Sequence, residues 1–129
     1  MIRAIHRSAA LLLIFASLAL AGCAATGPSG DYDDIIHHEV GTLEGRVQVA
    51  DVIERTDNDL LRVQVTVRNP SAFRVNYQYK FRWFDAEGIE IAPEGEPWKP
   101  KELPPRSSDH LQGVAPNPAA TRFELRVRN

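Results

Sequence analysis

The chain has 129 residues, with 15 basic against 17 acidic side chains, a single Cys and a single Met. A balance this close to neutral excludes a strongly basic nucleic-acid binder and a highly charged disordered chain. One Cys excludes an internal disulfide and a cysteine zinc site, and one Met excludes a Met-rich metal site.

Residues 1–22 read as an export signal. Arg3, His6 and Arg7 form a positive flank, and Ala9 to Ala21 are apolar except for Ser17. As a helix this core spans about 20 Å, short of a hydrocarbon layer of about 30 Å. A positive flank, a short apolar core and small residues after it mark a secretory signal peptide. Leu20-Ala21-Gly22-Cys23 resembles the lipobox of bacterial lipoproteins. The resemblance implies that a signal peptidase recognises Leu20, Ala21 and Gly22, that the cut precedes Cys23, and that the Cys23 sulfur carries lipid. Ala24, by resemblance to the sorting rule of enteric bacteria, implies the periplasmic face of the outer membrane rather than the inner membrane. Each buried CH₂ contributes about 0.8 kcal/mol, so two or more acyl chains anchor stably. Loss of the signal leaves 13 basic against 17 acidic residues, a net charge of −4. That value is ordinary for a soluble domain and implies no particular partner.

Residues 23–44 read as a lipidated N-terminus and tether. Ala24 to about Asp34 are rich in turn formers and have no apolar period. Twenty-two flexible residues would span about 25 Å. Ile35 and Ile36 are candidates to dock on the domain, and Val40 and Leu43 for a short extra strand.

From Gly45 the chain reads as strands. Val47, Val49, Val52 and Ile53 imply a bulge between Val49 and Val52, and Arg55 to Asp59 form a polar turn. Leu61, Val63, Val65 and Val67 alternate with Arg62, Gln64, Thr66 and Arg68, the period of a strand with one buried face. Asn69-Pro70-Ser71 breaks it. Val75, Tyr77, Tyr79, Phe81 and Trp83 then form an aromatic stripe opposite Asn76, Gln78, Lys80 and Arg82. Asp85 to Gly88 is a hairpin turn, with Gly88 suited to positive φ, and Ile89 and Ile91 resume alternation. Five prolines within 93–106 imply an edge crossing or long loop with Leu103 as a plug. Ser108 to Val114 is a strand with Leu111 inward, and Phe123, Leu125 and Val127 mark a closing strand. No segment has a helical period. The expected fold is all-β, an immunoglobulin-like or fibronectin-like β-sandwich of about seven strands over 45–129.

Tyr79-Lys-Phe-Arg-Trp-Phe-Asp-Ala-Glu-Gly88, with Asn69 before it and Leu111, Gly113, Ala115-Pro116 and Phe123 to Val127 after it, resembles the YcfL-type family of small bacterial lipoproteins. The resemblance covers roughly 47–128. It implies an immunoglobulin-like, periplasm-facing lipoprotein and brings no activity, catalytic residue or ligand residue.

Several groups of residues carry side chains of catalytic or metal-binding type. His37-His38 with Asp31, Asp33, Asp34 and Glu39 lack metal-ligand spacing and read as solvated tether. Ser107, Ser108, Asp109 and His110 contain triad residue types, but neighbours on a strand point to opposite faces. Asp85 and Glu87 read as turn formers rather than an acid–base pair. The expectation is therefore no catalytic residue, no metal and no cofactor. Trp98 lies outside any alternation and is expected either at an interface or folded over the open end of the sandwich; Phe73 and Phe84 are similar, with Phe84 inward at a bulge. Arg62, Arg68, Lys80 and Arg82 would form one basic stripe if their strands were neighbours, either one facing anionic head groups or glycan carboxylates or, as is more usual, a solvated face paired with nearby acids. Trp98, Arg62, Lys80 and Arg82 are the candidate interaction surface. The leading expectation is a membrane-anchored, non-enzymatic interaction module whose partner is an envelope protein or peptidoglycan, with no nucleic acid. The alternatives are a structural or stress-related lipoprotein and a small-ligand-binding or enzymatic domain, the last requiring an apolar pocket with convergent polar groups.

Overall fold

Alternation with period two makes the two strands that carry most of the core. The computed structural model describes residues 32, 34–39 and 43–129. In it, β3 (Leu60–Arg68) buries Leu61, Val63, Val65 and Val67, and β4 (Val75–Phe84) buries Val75, Tyr77, Tyr79, Phe81 and Trp83. The two strands lie in different sheets. β3 is central in an antiparallel sheet between β2 (Gln48–Asp57) and β7 (Ser108–Val114). β4 pairs with β8 (Arg122–Arg128) on one edge, and β1 (Ile36–His38) runs parallel to β8 outside it. On its other edge β4 meets two short strands in succession, β6 (Lys99–Leu103) opposite Val75–Tyr79 and β5 (Glu90–Ile91) opposite Trp83–Phe84. The inner faces pack as an all-β sandwich with eight strands among the described residues, one more than the sequence pattern implied.

The additional strand is β1. Within the stretch before Gly45, read as tether with Ile35 and Ile36 as docking candidates, Ile35 to Glu39 and Leu43 join the domain. Leu125 N–H donates to Ile35 O (2.7 Å), Glu39 N–H donates to Val127 O (3.0 Å), and Ile36 and Leu43 are buried in the core. A parallel strand pairs with residues far along the chain, so no local period announces it. The turn expected over 55–59 is shorter than the polar run. β2 continues to Asp57, and Asn58 and Asp59 alone close the hairpin with φ of 50° and 63°. Asn and Asp tolerate that left-handed region, and a two-residue turn of this hand matches strand twist. The bulge falls between Val49 and Asp51. Beyond it Ile53 is 51% exposed, and Ile89 after the second hairpin is 65% exposed, so neither extends the core.

Two features lock the sheets together. The first is Asn69, which is fully buried. Its Nδ2 donates to Phe73 O (2.6 Å), Leu103 O (3.2 Å) and Pro104 O (3.2 Å), and its Oδ1 accepts from Ser71 N–H (3.0 Å) and Ser71 Oγ (2.7 Å). One amide thus joins the β3–β4 crossing to the β6–β7 crossing. The second is a close approach at Gly113, where a Cβ would lie 2.7 Å from Phe81 Cδ2. Phe81 is itself wedged between Tyr79, Trp83 and Phe123, with ring centroids 6.1, 5.8 and 5.9 Å away. At the same sheet edge Lys101 Nζ reaches Asp109 Oδ2 (3.1 Å) across the two sheets. Burial, and then the Asp109 carboxylate, push the ionisation of the Tyr77 hydroxyl well above the usual phenol range.

Asn69→Ala removes a buried amide and its five hydrogen bonds, so urea unfolding should show a loss of about 3 kcal/mol. A loss below about 1 kcal/mol would mean the crossings hold without it. Gly113→Ala forces a packed ring to move and should cost about 1–3 kcal/mol in the same assay. An unchanged midpoint would show that the sheets can separate there freely.

Candidate partner surface and cleft

The residues of β4 that alternate with the aromatic stripe point away from the core, and β8 supplies their neighbours. Register sets Lys80 opposite Arg126, Gln78 opposite Arg128 and Arg82 opposite Glu124, and β1 adds His37 beside Arg126. Trp98 lies across this outer face. Its ring centre is 4.9 Å from Lys80 Nζ and 4.1 Å from Arg128 Cζ. Such contacts contribute about 0.5–2 kcal/mol each, depending on desolvation. Trp98 therefore does not cover the open end of the sandwich. The pairing of Tyr79 with Lys99 places residue 98 beside Lys80, on the outward side.

Arg82 is held by carboxylates. Its Nε donates to Glu90 Oε1 (2.7 Å), Nη2 donates to the second oxygen of the same carboxylate, and Nη1 lies 3.6 Å from Glu124. The hydrogen-bonded guanidinium holds the Glu90 carboxyl below the usual range, and the same pairing raises Arg82. Phe84, expected inward, sits under this layer, 5.3 Å from Arg82 Cζ and 4.1 Å from Arg122 Cζ. It is buried by cations and is not part of the main apolar cluster.

The basic stripe through Arg62, Arg68, Lys80 and Arg82 does not form. β3 and β4 belong to opposite sheets, so their outward residues face opposite sides of the molecule. Arg62 Nε instead meets Asp57 Oδ2 at 3.1 Å across its own hairpin. Lys80 keeps company with Arg126 and Arg128, which the alternation of the closing strand displayed but whose neighbour it did not name.

Where the edge of β4 passes from β6 to β5, a cleft of about 410 Å³ opens. Trp83, Ile91 and Val114 supply apolar surface, and Lys80, Glu96 and Lys99 supply charge. Glu96 accepts hydrogen bonds from Lys99 Nζ (3.0 Å) and Trp83 Nε1 (3.4 Å). Sequence reasoning missed this site. Its one legible trace was the spacing of Pro93 and Pro97.

The remaining candidates disperse. His38 Nε2 lies 2.9 Å from Val47 O, while His37 Nε2 faces Glu124 at 3.7 Å. Asp34 is exposed, Glu39 meets Arg126, and Asp31 and Asp33 lie outside the described residues. Among the described residues no three His, Cys, Asp or Glu side chains group around a common point. Ser107 Oγ donates to Pro104 O (2.7 Å), Asp109 meets Lys101, and His110 Nδ1 lies 3.0 Å from Thr66 Oγ1. Asp85 Oδ1 accepts from the N–H groups of Glu87 and Ile89, which is turn chemistry. Leu20, Ala21, Gly22 and Cys23 lie outside the described residues.

A family model described as a protein of unknown function, DUF1425, matches residues 35–129. The chain resembles the crystal structure of a DUF1425 family member from Shewanella sp. PV-4 with a TM-score of 0.59 and 32% identity, covering 64% of this chain and 77% of that one. It also resembles Campylobacter jejuni Cj0090 with a TM-score of 0.57 and 22% identity, covering 73% of this chain and 94% of that one, a likeness of fold. No curated protein matches.

The Arg82–Glu90 pair sets a pH dependence. A lowered folded-state pKa contributes stability that is present above the ordinary glutamate value of 4.5 and is lost as pH falls through the lowered one. At pH 7 Glu90→Gln should cost about 1 kcal/mol in urea unfolding, discounted for partial exposure, and the difference should vanish in acid. An equal deficit at both pH values would assign the loss to packing.

Proposed function

The chain belongs to the DUF1425 family, and we propose that it works as a lipid-anchored, periplasm-facing module of the cell envelope that binds a partner rather than carrying out a reaction. The anchor rests on Leu20-Ala21-Gly22-Cys23 ahead of a domain whose family match begins at residue 35. That leaves about 12 residues between the lipidated Cys and β1, half the tether length expected from the sequence pattern. As a flexible coil they would average about 20 Å and at full stretch reach about 40 Å. The domain is then a membrane-proximal one.

The observation that carries the binding reading is Trp98, half-buried between Lys80 and Arg128 on an outward sheet face. A half-buried indole flanked by cations suits a partner that brings carboxylates, as an envelope protein or peptidoglycan does. Ser107, Asp109 and His110 each bond in a different direction, which favours binding over hydrolysis. The cleft supports a second reading, a small-ligand site, since its volume falls in the range of about 300–1,000 Å³ usual for such sites.

Cys23→Ala should move the protein out of the membrane fraction; its persistence there would overturn the anchor. On the lipidated protein, a photo-reactive side chain replacing Trp98 should give a discrete adduct in cells, and one replacing Arg62, on the opposite face, should not. Adducts from both positions or from neither would count against this face.

A further inference from the structure

We propose that the cleft beside Lys80 binds the carboxylate end of a short extended L-peptide, such as the C-terminus of an envelope protein, by pairing it with the backbone of Phe81. This deepens the binding reading above and rests on it.

Among the described residues this edge of β4 has a strand partner opposite Val75–Tyr79 and again opposite Trp83–Phe84, but none opposite Lys80, Phe81 and Arg82. The reason is in the sequence. The register that pairs Tyr79 with Lys99 would, if continued, place Pro97 opposite Phe81. The register that pairs Trp83 with Ile91 would place Pro93 there. Neither proline has an N–H to offer the Phe81 carbonyl, so both short strands stop before reaching it.

The unpaired groups face the cleft. Asp85 N–H donates to Ile89 O (3.0 Å) along this edge. Alternate residues of an antiparallel strand direct their N–H and C=O to the same side. Trp83 and Phe81, two and four residues earlier, therefore aim theirs the same way. The backbone hydrogen bond of the intervening loop runs within it, from Gly95 N–H to Ala92 O (2.9 Å), and none runs from the loop to Phe81. The donor and acceptor are also held rigidly, because the Phe81 ring is clamped by Gly113 and its aromatic neighbours. Preorganisation of this kind lowers the entropy lost on binding.

Charge decides the ligand end. Arg82 is occupied by Glu90 and Lys99 by Glu96. Among the described residues Lys80 makes no close ion pair; it lies against the Trp98 ring and acts on Glu90 only through space, which leaves its ammonium group at the cleft rim accessible to an anion. An antiparallel segment would add backbone hydrogen bonds at Phe81, lay a small apolar side chain against Ile91 and Val114, and bring its terminal carboxylate to Lys80. Regular pairing of this hand needs L-residues, which favours a protein tail over the D-alanine-ended peptides of peptidoglycan.

The test uses the full chain in detergent, labelled with ¹⁵N-phenylalanine and titrated with acetyl-Ala-Ala-Ala as the free acid, as the amide, and as the isomer ending in two D-alanines. The free acid should bind and shift the Phe81 amide resonance, and the amide should bind about tenfold more weakly. Lys80→Gln should erase the acid–amide difference while the protein still unfolds cooperatively. Val114→Arg, at a position 46% exposed and away from the core, should block both peptides. No binding, a shift confined to other phenylalanines, equal binding of acid and amide, or tighter binding of the D-ended isomer would each overturn the proposal. An adduct from position 98 in a protein that binds no peptide would reject this inference and leave the partner-surface reading standing.

Discussion

Two of the crossings between the sheets lie side by side, and the buried amide of Asn69 ties them together. Everything downstream depends on that join. β4 carries the aromatic stripe of the core, and the β3–β4 crossing sets where it starts. β6 covers one end of the β4 edge, and the β6–β7 crossing sets where it stops. Asn69 bonds to both, with Arg106 N–H adding a bond to Ser71 O (3.1 Å) across the same gap. A side chain with two donors and one acceptor suits this place because several carbonyls of non-repeating backbone converge there with no strand to pair them.

The join brings the sheets close, and closeness has a consequence at the far end. Gly113 lets the Phe81 ring sit against the β7 backbone, which fixes the middle of β4. The partners on its edge cannot follow it continuously, because Pro93 and Pro97 fall where a donor is needed. The sheet therefore has a notch over a rigid backbone, with apolar surface inside and charged groups at the rim. The cleft is a product of proline placement and core packing together; neither alone would leave it open.

The outer face over β4 and β8 is governed by a different balance. Arg82 and Arg122 share Glu124, and Glu90 saturates Arg82, so this end of the face is internally neutralised. Lys80 and Arg128 instead share the ring of Trp98. Surface ion pairs contribute little stability each. Their effect here is to distinguish one part of the face, where carboxylates meet the charge, from another where the Trp98 ring and the Gln78 amide meet it.

Much of the fold was legible because it is written locally. Alternation over 60–68, 75–84 and 122–128 named three strands and their buried faces, the polar run 55–59 located one turn without its bounds, and Asp-x-x-Gly named the next hairpin. Cys23 and the residues before it were likewise a local pattern. What local pattern cannot carry is which strand lies beside which. That Arg62 and Lys80 face opposite sides, that β1 runs parallel to β8 as part of the domain, and that Trp98 rests between Lys80 and Arg128 all depend on pairings between residues distant in the chain. The sequence by itself determined the long alternating strands, the Asp85–Gly88 turn and the all-β class, since these follow from side-chain period and backbone preference. The tertiary structure alone decided the sheet assignment, the notch at Phe81 and the composition of each face, since long-range register decides which edges are paired and which charges meet.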